Sequence, residues 1–485
     1  MGRHWTTPLV KQCFVVAGVS LNMANFGTVM GFNAILLPQL QAPDSDISVD
    51  TASASWIASI VGISLVLGNL AVPTIMGKFG RRRASLFSCF ILIACWLQIS
   101  IATNITLLLI ARFFQGFSLG INLSLSPIMI GELTSPKHRG IFSAIMTTSI
   151  TTGTLSVHVM GSYLTWHTTA LVCAFVCVTS FAILILSPES PSWLADKKRY
   201  EDSRRAFHWL RGDMEEEELE KMLEARKTRH DPNENNKKFT YLIKAFKKKE
   251  FYKPVIIMLH LHTISMWTGM CFLIVFTVHL IRLLVGDDID VAMHLTIIDV
   301  QRMLSTFVAL YAVKIVKRRR ILFTTVGANI AILVVIALYT LAKSKNVLPF
   351  DHPAIGLVLL HIHMCTITTG SLPLPVVISG EIFPLELRSL AGGISSLAFS
   401  VNYFITSKTA MFLLSTIGIH GTYFLYASVS FYCTTVVWFM LPETKDRTLH
   451  DVEEEFRGKA KIHLEKIDVT QAVPLTSSDE KNMNV

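Results

Sequence analysis

The chain has 485 residues, of which 51% are hydrophobic and 16% are charged, with a formal net charge of +9 and a mean hydropathy of +0.48. Soluble domains carry about 25% charged residues, so this composition excludes an ordinary soluble protein. The eight cysteines all lie inside apolar runs without a disulfide spacing, which excludes a disulfide-stapled secreted fold.

Long apolar runs follow one another along the chain, separated by polar connections. A helix needs about 20 apolar residues to cross a bilayer. The first run is too long for the apolar core of a signal peptide and lacks a small-residue cleavage site, so we expect it to stay in the mature protein. We predict an all-α membrane protein of about twelve spans, at 12–37, 54–76, 84–103, 105–131, 140–163, 168–187, 254–282, 292–313, 321–342, 354–383, 391–416 and 420–441.

The positive charges lie on one side of these predicted spans. Connections that alternate along the chain contain 14 Lys and Arg on one side and about 2 on the other. Membrane proteins concentrate Lys and Arg in their cytoplasmic loops. We therefore expect both termini in the cytoplasm, and we interpret the basic excess as a topology signal and not as a nucleic-acid-binding surface.

The polar segment after the sixth span divides the chain into two halves. Its apolar residues recur every three to four positions, which predicts short amphipathic helices on the cytoplasmic face. A solvated linker and a surface that binds lipid or a partner are both open. We predict an N-terminal six-helix bundle over 1–187, linker helices over 188–253, a C-terminal six-helix bundle over 254–441 and a cytoplasmic tail over 442–485, of which residues 474–485 are expected to be disordered.

The two halves repeat each other. A Glu precedes an Arg by seven residues in both Glu132…Arg139 and Glu381…Arg388. Pro-Glu follows the sixth and the twelfth spans, and Arg-rich turns follow the second and the eighth. Parallel six-span repeats are typical of two-bundle transporters, whose substrate site lies between the bundles near mid-membrane.

Carboxylates and guanidinium groups gather at the cytoplasmic ends of both halves, where Arg can bind carboxylate oxygens through paired hydrogen bonds. Placed between the bundles, such pairs would hold the cytoplasmic side shut and break when it opens. Static anchoring is the alternative. The predicted gating and salt-bridge residues are Arg81, Arg82, Glu132, Arg139, Glu189, Arg318, Arg319, Glu381, Arg388 and Glu443.

Four ionisable residues lie at membrane depth, where charges are costly and indicate functional sites by default. Asp299 and Arg302 are three residues apart, so they can meet on one helix face as a buried ion pair. Lys408 can be the second partner of this pair, bind substrate oxygens or extend to the membrane surface, and we favour a position in the cavity. Arg112 lies toward the outer half of the fourth span, where it can line or brace that cavity.

Enzymatic and metal chemistry find no support in the sequence. The pairs His260/His262 and His361/His363 are two residues apart and point to different helix faces, so we expect no metal site. There is no P-loop for ATP and no nucleophile elbow, so we expect a protein without a cofactor that is not an enzyme. Asn104 begins a glycosylation sequon in a short outer loop.

Six short motifs stand in order at the predicted helix ends: Gly77-Lys-Phe-Gly80-Arg81-Arg82, Arg112-Phe-Phe-Gln-Gly116, Glu132…Arg139-Gly140, Pro188-Glu-Ser-Pro-Ser-Trp-Leu194, Glu381-Ile-Phe-Pro384…Arg388 and Pro442-Glu-Thr-Lys-Asp-Arg-Thr-Leu449. Together they resemble the sugar porter branch of the major facilitator superfamily, over about Lys11 to Leu449. Within that branch, Leu36-Leu-Pro-Gln-Leu40 and Asn402-Tyr403 are similar to insect facilitated trehalose transporters. The resemblance implies a plasma-membrane facilitator that carries a sugar of the trehalose or hexose class by alternating access, with the sugar and the lipid bilayer as partners and one chain sufficient for transport.

Positions that the resemblance assigns to sugar binding differ in this chain. The amides of the family's seventh-span motif align with Ser265 to Cys271, its fifth-span Gln with Thr147 and its tenth-span Trp with Val376. Ser and Thr hydroxyls can replace part of this hydrogen bonding if their helices face inward as in the family. The predicted substrate-path residues are Asn33, Arg112, Thr147, Thr148, Thr151, Ser265, Thr268, Asn402, Thr406 and Lys408.

Asn33 stands where proton-driven members of the family carry an Asp that pairs with the fourth-span Arg. An amide cannot ionise, so the resemblance implies passive transport. Three alternatives stay open at this point: proton coupling through Asp299, a facilitator of another small organic solute, and a transport-inactive sugar sensor.

Overall fold

The computed structural model describes residues 7–43, 45–212, 215–227, 248–286, 290–348, 350, 352–383, 388–447 and 449–457, and of 225–227, 388–390 and 449–450 it describes the backbone alone. The predicted disorder of residues 474–485 lies outside this part of the chain. The side chain of Arg388 lies outside it as well.

Long helices make up most of the described chain. Eleven of them are long and apolar enough to cross a membrane, and α5, with 28 residues, is a twelfth that is rich in Ser and Thr and therefore less apolar. The prediction of an all-α membrane fold is confirmed. The twelve are α1 (Pro8–Leu40), α2 (Thr51–Phe79), α3 (Arg81–Ser100), α4 (Ile105–Leu133), α5 (Pro136–Tyr163), α6 (Trp166–Leu186), α10 (Lys249–Val275), α12 (Val291–Ile315), α13 (Arg318–Ser344), α14 (Pro353–Ile382), α15 (Ala391–Thr416) and α16 (Gly418–Met440).

Five shorter helices complete the order of elements: α7 (Pro191–Asp196), α8 (Tyr200–Arg211), α9 (Glu216–Lys227), α11 (Thr277–Val285), which continues the line of α10, and α17 (Leu449–Arg457). Helices α1 to α6 pack into a first bundle, in which α1 lies against α5, α2 against α4 and α3 against α6. Helices α10 to α16 pack into a second bundle. The bundles meet where α2 lies against α15, α5 against α12, and α1 against α11 and the end of α10.

Side chains and special backbone conformations set where these helices begin and break. Asp50 and Asn104 cap α2 and α4 by accepting hydrogen bonds from backbone N–H groups at 3.1 and 2.9 Å. Hydrogen bonds from Ser53 hold the pKa of the exposed Asp50 carboxyl below its usual value. Gly269 breaks α10 with a φ of 95°, and Gly418, with a φ of 69°, separates α15 from α16.

The linker helices dock on the first bundle. Gln12 of α1 donates to the carbonyl of Leu210 in α8 at 3.2 Å and accepts from the backbone N–H of Ser135 at 3.0 Å. The guanidinium of Arg211 donates to the carbonyl of Thr134 at 2.8 Å. At the other end of the chain, α17 buries Phe456 against the second bundle. The predicted amphipathic linker is therefore helical and bound to the protein over its described part.

Helices α1 and α5 approach each other so closely that only glycine fits at their crossing. A Cβ on Gly27 would lie 2.0 Å from the carbonyl oxygen of Ile150, and a Cβ on Gly153 would lie 2.0 Å from that of Ala24. Small residues allow such backbone contact between membrane helices, where packing drives association.

We expect Gly27→Ala to destabilise the first bundle by about 1–3 kcal/mol, because a methyl group at this crossing forces α1 and α5 apart. The matched control is Gly131→Ala, since a Cβ on Gly131 meets nothing within 4 Å. Thermal unfolding of the purified protein in detergent measures both. Equal melting temperatures for the two variants would contradict the packing described.

Candidate functional site

Helix α1 begins at the same membrane face at which α6 ends, and the linker helices α7 to α9 follow α6. We call this face the linker face and the opposite one the far face. Polar contacts join the bundles at mid-membrane and toward the far face. The hydroxyl of Ser55 donates to the carbonyl of Lys408 at 3.1 Å, and the amide of Asn69 donates to the hydroxyl of Ser400 at 2.7 Å. Both contacts hold α2 against α15, so this arrangement is closed at the far face.

A buried cluster of charges joins the bundles on the other side of the interface. Asp299 and Arg302 of α12 form an ion pair with a separation of 3.0 Å between carboxylate oxygen and guanidinium nitrogen. The second partner of Asp299 is His158 of α5, whose Nδ1 lies 2.5 Å from the other carboxylate oxygen. His158 and Asp299 are 0% and 1% exposed, so water does not screen this contact.

Lys408 lies at the far face and does not reach this cluster. Its ammonium group stands over the ring of Trp56, 3.7 Å from the ring centroid. A cation over an indole face is a favourable contact that keeps the charge close to water. The expectation that Lys408 faces the cavity or joins Asp299 is therefore not met in this structure, because the α2 aromatic ring holds it.

Arg112 braces the first bundle. Its guanidinium donates to the carbonyl of Val29 at 3.1 and 3.2 Å, to the side chain of Gln115 at 2.8 Å and to the amide oxygen of Asn33 at 2.8 Å. The side chain is fully buried, and these four bonds replace water around the charge. All of these partners are neutral oxygens.

A small cavity of about 30 Å³ lies between α1, α10 and α15. The helices meet here from both bundles, and the surface that lines the cavity is apolar. Tyr403 is one of the lining residues, and its hydroxyl is buried without a hydrogen-bond partner among the residues that the structure describes. The lining residues are Phe26, Met30, Met266, Met270, Cys271, Ile274, Phe399 and Tyr403.

The hydroxyls predicted on α10 turn away from this cavity. Ser265 donates to the carbonyl of Ser371 at 2.5 Å, and the hydroxyl of Thr268 lies 3.2 Å from that of Ser371, so both are held by α14. The break at Gly269 frees the carbonyl of Thr268, which accepts from the ring of His363 at 2.8 Å. Met266 and Met270 take the places that face the cavity.

The remaining predicted hydroxyls bond to their own helices. Thr147, Thr148 and Thr151 donate to carbonyls of the preceding turn of α5 at 2.8–3.0 Å, and Thr406 does the same on α15 at 2.9 Å. Such back-bonding is the ordinary state of a Thr inside a helix. Asn402 bonds to its own helix and also accepts from the indole of Trp267 at 3.3 Å, which places it beside the cavity-lining Tyr403.

The predicted charge network of the first half forms at the linker face. Glu189 accepts from the backbone N–H groups of Arg81 and Arg82, at 2.8 and 3.0 Å, where α3 begins. Arg81 binds Glu132 at 2.9 Å, and Ser190 also donates to Glu132. The carboxylate of Glu189 thus faces the positive end of a helix dipole.

The second half repeats these bonds. Glu443 accepts from the backbone N–H groups of Arg318 and Arg319, at 2.9 and 3.2 Å, where α13 begins. Arg318 binds Glu381 at 2.9 Å, and Thr444 donates to Glu381 at 2.6 Å. The internal repeat in the sequence therefore corresponds to equivalent hydrogen bonds and ion pairs in the two halves.

Each of these bonds stays within its own half. This arrangement is closed at the far face, so it does not test the prediction that ion pairs cross between the bundles when the linker face is shut. Arg139 donates only weakly, at 3.5 Å, to the carbonyl of Thr134. Asn104, the sequon residue, is exposed at the far face and caps α4.

Two six-helix bundles around a central cavity, with matching charge networks at one face, define a membrane transporter of the major facilitator fold. The chain belongs to the sugar (and other) transporter family, whose model matches residues 13–456. It is 28% identical to a facilitated trehalose transporter Tret1 of Apis mellifera ligustica, over 93% of this chain and 90% of that protein. It is 26% identical to the Tret1 of Aedes aegypti over 95% of this chain, and it spans only 57% of that relative.

Solved structures show the same fold. The xylose transporter XylE of E. coli in an inward open conformation has a TM-score of 0.73 at 16% identity, over 91% of this chain and 99% of that chain. A proton:xylose symporter XylE bound to 6-bromo-6-deoxy-D-glucose has a TM-score of 0.74 at 16% identity, over 93% of this chain and 100% of that chain.

We expect Glu443→Gln to destabilise the protein by about 1–3 kcal/mol, because an amide N–H group would then meet backbone N–H donors at the start of α13. The matched control is Glu201→Gln, which changes an exposed carboxylate on α8. Thermal unfolding in detergent compares the two. A loss of stability in the control as large as in Glu443→Gln would show that charge alone, and not this contact, matters.

Proposed function

We propose that the protein is a facilitative transporter that carries a sugar of the trehalose or hexose class across the plasma membrane by alternating access. The observation that supports it most is a cavity between two bundles that touch each other toward one face of the membrane. Parting of the bundles at that face and closure at the other would give the cavity access to each side in turn. The relatives named trehalose transporters favour this substrate class.

The linker face is proposed to be cytoplasmic, with both termini on that side, because most positive charge outside the predicted spans lies there. The rigid units of the cycle are proposed to be 1–187 and 254–441, with 188–253 as the linker and 442–485 as the tail. One chain supplies every wall of the cavity, so a monomer is sufficient for transport.

Substrate contact is proposed to centre on Tyr403, with Asn402 beside it. An unpartnered buried hydroxyl is costly, and a sugar hydroxyl would satisfy it. The Phe and Met side chains of the lining would cover the apolar faces of a sugar ring. The back-bonded Thr147, Thr148 and Thr151 would contribute only after a rearrangement of their hydroxyls.

Transport is proposed to be passive. Arg112 is bonded to the amide of Asn33, which has no proton to release as the carrier changes state. Asp299, the carboxylate that would serve proton coupling instead, lies between Arg302 and His158.

Uptake of radiolabelled trehalose and glucose into cells without sugar porters of their own tests this proposal. We expect saturable uptake of at least one sugar that a proton uncoupler leaves unchanged, because Asn33 cannot ionise. The variant Tyr403→Phe keeps the ring of Tyr403 and removes its hydroxyl. We expect the KM of this variant to rise severalfold. Uptake of neither sugar would contradict the substrate class, and sugar-induced thermal stabilisation without flux would identify a sensor.

A further inference from the structure

His158 is a buried ionisable group to which the transport proposal assigns no role. Its Nδ1 lies 2.5 Å from the carboxylate of Asp299, and its Nε2 lies 3.1 Å from the carbonyl oxygen of Gly31. It therefore joins α5 to α12 across the bundle interface and α5 to α1 within the first bundle. We propose that His158 and Asp299 form a proton-binding site between the two bundles, and that the bound proton holds the far face closed.

The hydrogen bonds require this proton. A backbone carbonyl can only accept, so Nε2 must carry a hydrogen to donate to Gly31. Nδ1 then bonds to the carboxylate only if one more hydrogen lies between them, on the ring or on the oxygen. In either form the pair holds one proton more than a neutral imidazole beside an ionised carboxylate.

The charged groups around the site keep partners of their own when His158 and Asp299 move apart. Arg302, on the same helix as Asp299, stays beside the carboxylate when the bundles part, so Asp299 keeps a partner without His158. Arg112 of α4 is occupied by Asn33 and Val29 on α1. His361 of α14 is hydrogen-bonded to Gln301 of α12 and lies near His294 of the same helix.

The burial of the pair determines where its proton comes from. His158 and Asp299 are 0% and 1% exposed, and both lie in the far-face halves of their helices. When the bundles part at that face, His158 loses its carboxylate partner and meets water, so the contact that held the extra proton no longer exists. The proton is thus taken from far-face water on closure and returned to the same water on opening, which is pH sensing and not proton transport.

The direction of the pH effect follows from this exchange. The closed form binds one proton more than the open form, so acid at the far face favours closure and alkali favours opening. Linkage of one proton changes the ratio of the two forms by up to about tenfold per pH unit. Solute entry from the far face should therefore slow as that face becomes acidic.

Distance measurement between spin labels tests the proposal. The labels replace Tyr163 at the end of α5 and Met293 near the start of α12, two exposed far-face positions, with Cys13 and Cys365 changed to Ser. In nanodiscs, we expect the short-distance population to dominate at pH 5.5 and the long-distance population to grow up to pH 8.5. In His158→Asn, whose amide can still donate to Asp299 but does not titrate, the two populations should not change with pH.

The matched control is His167→Asn, because His167 at the same face bonds within the first bundle, to the carbonyl of Ser100 at 2.9 Å. This variant should keep the full pH response. His158→Gln serves as a second variant if His158→Asn unfolds. A native distribution that does not change with pH, or the same pH response in both His158 variants, would overturn the proposal. The inference rests on the alternating access proposed above, but distances need no solute, so absence of sugar flux would count against the transport proposal alone.

Discussion

A charge inside a bilayer has to find its partners within the protein, and this constraint decides how the molecule is held together. The guanidinium of Arg112 donates to neutral oxygens of α1 and α4 and so joins two helices of one bundle. The cluster of His158, Asp299 and Arg302 satisfies its charges across the interface instead. Because an unpartnered charge there would cost several kcal/mol, the bundles can part only if each charge keeps a partner or loses its proton.

The charge networks at the linker face join helices within one bundle and not across the interface. In both halves a Glu binds the start of a helix and an Arg binds a second Glu, so each half carries the same set of bonds. These bonds stay within a bundle and make it rigid. Motion is therefore expected at the interface, where the polar contacts between described residues include Ser55 with Lys408, Asn69 with Ser400, and His158 with Asp299.

The fold could be predicted from the sequence because its signals are local. Apolar runs of span length gave the helices, and repeated Glu and Arg spacings gave the residues of both linker-face networks. The partners within those networks could not be predicted, since the spacing does not say whether a Glu binds an Arg of its own bundle or of the other bundle. His158 was missed because its partner lies 141 residues away, although a lone His in an apolar span was the available signal. The contacts of Ser265 and Thr268 with α14, and the backbone break at Gly269, could not be predicted from a helical pattern.

The central claim is that transport requires α2 to separate from α15 at the far face. A disulfide between Ser55→Cys and Lys408→Cys tests it, since the Ser55 hydroxyl lies 3.1 Å from the carbonyl of Lys408. Ser88→Cys with Ser118→Cys, whose hydroxyls lie 2.7 Å apart within the first bundle, is the matched control. The account predicts that oxidation abolishes sugar flux in the first pair, that a reductant restores it, and that the control pair transports in both forms. Undiminished flux through a fully cross-linked Ser55→Cys/Lys408→Cys carrier would contradict it.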